Sequence, residues 1–592
     1  MMKKISLPSW DLSGLFAGLN DPKIKRTQDA VTRQAKAFRA RYQGKGKHIS
    51  AQTLNRALQE YEAVIQNAAK PFEYAHLIFS ADSQNPHHGA FLQKMKVWYQ
   101  SIYEQIVFFE LEIGHIPNAH AKKLERSPKL KSYRYFLERQ AELKKHHLLE
   151  NEEKILSQKS ITGRSAFIRL YDEEGAARRV MWNGRPVSES QILNLLYDPK
   201  QATRKKASEA FTNVLKKDLR RSTFIYNTLI EDKKIDDRYR TFETPEASRH
   251  LDNQINQKIV DTMTGVVTDH FPLVQDFYRF KKKLMGVKTL YDYDRYAPVH
   301  ASSIRFPFSE SRTIVLDAFN QFSPEYAKLA QAFFDHKWID AAARPGKRGG
   351  AFCMYTTPDH HPYVLVNFVK GDVKDVLTLA HELGHGVHAS LARAQTPLNF
   401  DHPLTIAETA SIFGEMLTFN ALKHRVPKKK DQLALYLNKI EGIFASIFRQ
   451  IAMYRFEQDA HRAVREQGEQ TAQQFNALWS KRQAELFGSS ITLTSNYDVW
   501  WSYIPHFIHT PFYVYAYAFG ELLTLSLFAQ YQKDGKAMVD RYMTLLRSGG
   551  SSSPQALLKP FGIDLTKKTF WEGGMKLLKT MIQEAYALAD IS

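Results

Sequence analysis

Apolar positions recur every three to four residues over most of this chain, with few Gly or Pro to interrupt them. That period places them on one face of a helix and predicts a mainly helical fold. Residues 24–150 read as long amphipathic helices, broken at the polar run Ser80-Ala81-Asp82-Ser83-Gln84-Asn85-Pro86. Helical spacing returns over 200–290 and again from 430 to the end. Two stretches alternate instead. Phe167–Tyr171 and Arg179–Trp182 flank Asp172-Glu173-Glu174-Gly175 and predict a β-hairpin near 165–185. Ala351–Thr356 and Tyr363–Phe368 predict a small sheet that runs directly into a helix starting near Asp372. No internal repeat and no long linker appears. The expected division is an N-terminal helical region, 1–199, and a second region, 200–592.

The helix after Asp372 carries candidate chemistry. Asp372 is a good N-cap, Asp375 puts negative charge in the first turn, and Val373, Val376, Leu377, Ala380 and Leu383 form its apolar face. Residues 381–388 read His-Glu-Leu-Gly-His-Gly-Val-His. Imidazoles four residues apart on a helix differ by about 40° in azimuth, so His381 and His385 can reach one ion. Glu382 lies on the adjoining edge, where it can take a proton from a metal-bound water. Gly384 and Gly386 cost the helix about 1 kcal/mol each relative to Ala, which points to close packing or room for a ligand.

A zinc site of this kind needs a third protein ligand. His388 shares the stripe, but three ligands on one helix would spread over about 10 Å of rise. It reads better as an outer or substrate-facing residue. Glu408 lies in Ile406-Ala407-Glu408-Thr409-Ala410-Ser411, which can form the next helix, with Pro403 suited to its first turn. Thr405-x-x-Glu408 also fits a capping box, which would turn the carboxylate to the backbone. Glu415, seven residues on, shares the face of Glu408 and can hydrogen-bond the far nitrogen of a ligating His.

Further features bear on substrate. Gly349-Gly350 before Ala351 permits close backbone approach, and an exposed strand edge there can take an extended peptide as an added strand. Thr510-Pro511 resembles a helix start, which would put Tyr513 and Tyr517 on one face. A phenol can donate to the oxyanion of peptide hydrolysis, as can His506 or His509. An aromatic core stripe is the alternative.

Taken together, these segments resemble the oligoendopeptidase F branch of the thimet-oligopeptidase-like (M3) zinc metallopeptidases. The likeness is carried by Pro8-Ser9-Trp10-Asp11-Leu12-Ser13 with Asn20-Asp21-Pro22, and by Gly346-Lys347-Arg348-Gly349-Gly350-Ala351-Phe352. The zinc helix, Glu408-Thr409-Ala410-Ser411 and the stretch from Ile504-Pro505-His506-Phe507 to Tyr517 complete it. The resemblance implies two helical halves around a deep channel, with the sheet beside the metal helix. It implies one Zn²⁺ per chain held by His381, His385 and Glu408, with Glu382 as general base in a catalytic domain over 200–592. Tyr517 and His506 become expected catalytic donors. His509, Tyr513, Gly349, Gly350 and Ala351 become substrate contacts, with His388 and Glu415 in outer positions. The His-to-Tyr spacing departs from that of the mammalian members.

Charge and cysteine content refine this picture. Lys and Arg number 82 against 62 Asp and Glu, a net charge of +20. The basic runs, such as Lys281-Lys282-Lys283 and Lys428-Lys429-Lys430, are short and scattered. They predict solvated surface rather than a nucleic-acid partner. Cys353 is the one cysteine, so no disulfide framework exists and a reducing compartment is expected. The start, Met1 to Asp11, lacks the apolar core of a secretory signal, and no stretch approaches 18 apolar residues. The expectation is a cytoplasmic metalloendopeptidase acting on short unstructured peptides, without membrane insertion. The alternatives are an exopeptidase trimming dipeptides or single residues from a chain end, and a non-catalytic peptide- or nucleic-acid-binding protein. Metal content separates the last from the others.

Overall fold

The computed structural model describes residues 7–299 and 304–589. The basic segment 1–6, read above as part of a non-secretory start, lies outside them. In chain order the helices begin with α1 (Pro22–Tyr42), α2 (Ala51–Ala81) and α3 (Pro86–Gly114). After several shorter helices come α4 (Arg164–Ala177), strands β1 (Val180–Trp182) and β2 (Arg185–Val187), and the long α5 (Gln201–Tyr239). Three strands follow, β3 (Ile339–Ala342), β4 (Phe352–Met354) and β5 (Tyr363–Phe368). They lead into α6 (Val373–Ala392) and α7 (Thr409–Arg425), and later α8 (Phe448–Gln467) and α9 (Tyr515–Asp534). No described helix is long and apolar enough to cross a membrane.

Two compact units emerge, each assembled from three separate stretches. One joins the N-terminal residues to Glu150 with 304–425 and 530–562; the other joins 151–303, 426–529 and the C-terminal stretch from Ile563. Helices distant in sequence share each core.

In the first unit, α1 to α3 bury a common apolar face through Val31, Ala35, Phe38, Tyr61, Phe108 and Phe109. Their starts follow local chemistry. The Asp21 carboxylate accepts from Lys23 N–H with Pro22 at the first helical position, and Asn85 caps α3 in the same way before Pro86. The sheet order is β3-β5-β4, with β5 parallel to β3 and antiparallel to β4. Central β5 is buried along nearly its whole length, as a strand covered on both faces must be. The N-terminal segment runs beside β3: Ala341 N–H donates to Pro8 O and Asp11 N–H to Lys337 O. Trp10 packs against Phe352 and Tyr363.

The hairpin expected near 165–185 forms one arm later. Residues 164–177 are the helix α4, stabilised by an Arg169–Glu173 pair four residues apart. The hairpin is Val180–Val187, turning at Asn183-Gly184 with φ of 49° and 79°. A two-residue hairpin turn wants two positive φ values, and Asn-Gly supplies them at low cost. The Asp172–Gly175 stretch offers no such pair and stays helical.

Candidate metal centre

The helix α6 is set by its ends and its glycines. Asp372 Oδ1 accepts from Asp375 N–H at 3.1 Å, and Asp375 Oδ2 accepts from the N–H groups of Val369, Lys370 and Gly371. The strand β5 is thus locked to the start of α6. A Cβ on Gly384 would lie 2.4 Å from Ala410 O and 2.7 Å from Ser411 Cα; one on Gly386 would lie 2.4 Å from Phe333 Cζ. Gly414 on α7 answers Gly384, since its Cβ would come 3.2 Å from Ala380 O. Helices α6 and α7 therefore touch backbone to backbone.

That contact delivers Glu408 to the histidines. Pro403 caps a four-residue helix, Leu404–Ala407, Glu408 follows it, and α7 begins at Thr409. Thr405 sits inside the short helix rather than at its cap, so no capping box forms there. Glu408 Oε2 lies 3.3 Å from His381 Nε2 and 3.4 Å from His385 Nε2. Ser411 Oγ donates to the same oxygen at 2.8 Å. One ligand atom from each of His381, His385 and Glu408 falls within 4.8 Å of the others. Ligands at about 2.1 Å in a tetrahedron stand about 3.4 Å apart. Two imidazole nitrogens and a carboxylate oxygen at these separations fit a zinc ion.

The surroundings are tuned for charge. Glu415 Oε2 lies 3.4 Å from His381 Nδ1, where it can orient the ring and aim Nε2 inward. Burial opposes charge on His381, but hydrogen bonds to Glu408 and Glu415 outweigh it and raise its pKa. Burial likewise penalises the Glu408 carboxylate, yet the His385 and His381 contacts hold it well below the usual range. Glu382 is 5% exposed, and its Oε2 is buried with no hydrogen-bond partner among the described residues. Burial raises its pKa against the pull of His381 and His385.

His388 stands beside this group and outside it. It is fully buried, stacks on His402 with centroids 4.1 Å apart, and neither ring nitrogen has a hydrogen-bond partner among the described residues. Gly349, Gly350 and Ala351 lead into β4, which forms one edge of the sheet. Gly350 has φ 79°, and a Cβ on Gly349 or Gly350 would meet nothing within 4 Å. Asn367 Nδ2 donates to Gly350 O and to Arg348 O, fixing the turn.

The aromatic segment belongs to the second unit. Thr510-Pro511 does not open a helix. Thr510 closes the short helix Pro505–His509, Phe512 adopts φ 59°, and α9 starts at Tyr515. Phe512 N–H donates to buried Glu457 Oε1 at 2.8 Å, which fixes the break. Tyr513 and Tyr517 still meet edge-on, centroids 5.1 Å apart. His506 Nε2 lies 3.2 Å from Tyr517 OH, and its ring stacks on Tyr513. Burial lowers the pKa of His506, with Arg449 and His509 adding to the shift. His509 points elsewhere: its Nε2 pairs with Asp172 Oδ1 of α4 at 2.7 Å. Sequence reasoning assigned no role to Ser411, although its place three residues after Glu408 within one helical turn was the available signal.

Comparison with known proteins identifies the family. Residues 194–577 match peptidase family M3, and residues 112–178 match the family described as Oligopeptidase F. An oligoendopeptidase F homolog of Borreliella burgdorferi is 26% identical, covering 97% of each chain. Oligopeptidase PepF of Bacillus subtilis is 26% identical over 90% of this chain and 81% of its own. Among solved structures, oligoendopeptidase-F from Enterococcus faecium shares the fold, with TM-score 0.73 at 20% identity over 96% of this chain and 99% of that one. A structure from Chlamydophila abortus reaches TM-score 0.85 at 23% identity, over 98% of each chain. Matched over more than half its length, the chain belongs to peptidase family M3 and is a metallopeptidase.

Proposed function

We propose that this chain is a zinc-dependent endopeptidase that hydrolyses internal bonds of short, unstructured oligopeptides. The observation that carries this reading is the convergence of His381 Nε2, His385 Nε2 and Glu408 Oε2 beside the unpartnered, buried Glu382 Oε2. Zinc held by those three residues would supply Lewis acidity, lowering the pKa of water toward 7 and polarising a carbonyl. Glu382 is the proton carrier. Its Oε2 accepts a proton from the attacking water and returns it to the leaving amine. Burial raises its proton affinity, which brings it nearer to a base that works at neutral pH. Glu415 holds the His381 ring, and Ser411 holds the Glu408 carboxylate.

The edge strand β4, with open space at Gly349 and Gly350, is assigned to peptide binding by strand addition. We assign Tyr517 the oxyanion-donor role and His506 the role of its partner, on their hydrogen-bonded pairing and on the family motif. His509, engaged by Asp172, is the weakest of the expected substrate contacts, and Tyr513 acts through its stacking on His506. Oligopeptide substrates are supported by the names of the curated relatives. The test is a peptide blocked at both ends, with products mapped by mass spectrometry. Internal cuts are expected. Cutting only after an end is unblocked would make the enzyme an exopeptidase.

A further inference from the structure

The second unit holds a group of buried and half-buried cations whose charges are accounted for unequally. Arg204 pairs with Asp294 at 2.8 Å, and Lys281 pairs with Glu441. Arg295 donates from Nε to Asp292 O and lies over the rings of Tyr497, Phe487 and Tyr296 at 4.6, 5.3 and 5.4 Å. Arg449, near the start of α8, forms no ion pair among the described residues. Its Nη1 donates to Tyr296 OH at 2.9 Å and its Nη2, weakly, to Tyr503 OH at 3.4 Å. Its Nε is buried with no hydrogen-bond partner among the described residues. A guanidinium carries five N–H donors, so most of this one's capacity is unused.

A half-buried guanidinium with no carboxylate beside it has donors to offer an anion. Its planar fork suits a carboxylate, which it can hold through two parallel hydrogen bonds. The location is informative too. Tyr503 stands three residues before His506, and the Arg449 charge reaches the His506 ring. Tyr503 is held edge-on by Phe211 and Trp500, and Tyr296 is stacked on the more exposed Tyr197. The two phenols are thus fixed, and they fix the guanidinium.

We propose that Arg449, framed by Tyr296 and Tyr503, is a specificity residue that seats a carboxylate of the bound peptide near the His506–Tyr517 pair. The carboxylate is either the peptide's C-terminus or an acidic side chain. This inference rests on the oligopeptidase reading above.

The test uses the zinc-loaded full chain and two matched peptide sets. One set compares a free C-terminal acid with its amide. The other compares Glu with Gln at one internal position of an amidated peptide. The wild type should favour the carboxylate form in at least one set by about tenfold or more in kcat/KM, the scale of a charged hydrogen bond. The set that shows the preference identifies the source. Arg449→Met should bring that ratio to within about twofold of unity while leaving turnover of the uncharged peptide within about threefold, and Arg449→Lys should keep part of the preference. Calorimetric binding of the same peptides to Glu382→Gln protein should show the same ratio in Kd, independent of turnover. No preference in the wild type, or a preference that survives Arg449→Met, overturns the proposal. Should Arg449→Met fail to fold, the wild-type ratio and Arg449→Lys decide. Failure to cleave any peptide would strike the oligopeptidase reading, whereas cleavage without a carboxylate preference strikes only this one.

Discussion

Gly384→Ala is the sharpest probe of how the fold makes the metal site. The new Cβ would sit 2.4 Å from Ala410 O and 2.7 Å from Ser411 Cα, where ordinary contact begins near 3.4 Å. Both neighbours are backbone atoms, so no side chain can swing aside. Helix α7 must retreat by about 1 Å, and Glu408, directly before it, moves with it. In stability the change is modest. Overpacking costs about 1–3 kcal/mol, offset by about 1 kcal/mol of helix propensity gained over Gly. In geometry it is severe, because zinc bonds tolerate errors of only about 0.2 Å. Zinc affinity should fall at least about tenfold and kcat/KM about a hundredfold, the scale of a 1 Å misplacement. A competition titration with a chromophoric chelator reads the first, and an internally quenched peptide the second. Gly442→Ala is the control: Gly442 is helical and a Cβ there meets nothing within 4 Å, so it should bind zinc normally. If Gly384→Ala also binds zinc as tightly as wild type, the α6–α7 backbone contact does not set the position of Glu408.

Four further outcomes are expected. Glu382→Gln should keep zinc and fold but lose at least about 90% of kcat, since acid–base catalysis contributes about 10²–10⁴-fold; retention of more than about a tenth refutes the base. Glu408→Ala should weaken zinc binding more than His388→Ala, because His388 bonds no ligand; the reverse order in zinc titration would exchange their roles. Tyr517→Phe should lower kcat by about 10²–10³-fold with little change in KM, and a near-normal kcat would remove it as the oxyanion donor. Glu457 gives a pH signature. Burial raises its pKa to about 8, against the lowering by the Phe512 N–H and Arg249, with Glu246 adding to the rise. The folded state therefore keeps a proton that the unfolded chain releases above its ordinary carboxyl range. Stability from this group is full below about pH 4.5 and is lost as pH rises toward 8, by up to about 1.4 kcal/mol per unit. Urea midpoints of Glu457→Gln should lack that decline relative to wild type, and parallel curves for the two proteins would refute it.

Much of the site was legible because it is local. Asp372, Asp375 and the 3.6-residue apolar pattern define α6, and the i, i+4 spacing brings His381 and His385 together whatever the rest of the chain does. The choice for Glu408 between ligand and cap was not local. It depends on Gly384 meeting Ala410 across two helices, and the sequence shows only that costly glycines are present. The aromatic segment misled for a related reason. Thr510-Pro511 has the chemistry of a helix start, but buried Glu457 from α8 claims the Phe512 N–H and holds a positive φ there. The hairpin lies at Val180–Val187 because Asn183-Gly184 supplies two positive φ values, a turn signal that alternation in 167–171 does not carry. The two discontinuous units were beyond reach, since periodicity shows which face a helix buries and not which distant helix covers it.

The central claim is that one zinc ion at His381, His385 and Glu408 drives cleavage within a peptide. The most direct measurement strips the metal with a chelator, then titrates zinc back while following cleavage of a peptide blocked at both ends. The account predicts an inactive apoprotein, activity rising linearly to a break at one zinc per chain, and products from internal cuts alone. Full activity in verified metal-free protein, or no cleavage of the blocked peptide at any zinc level, would contradict it.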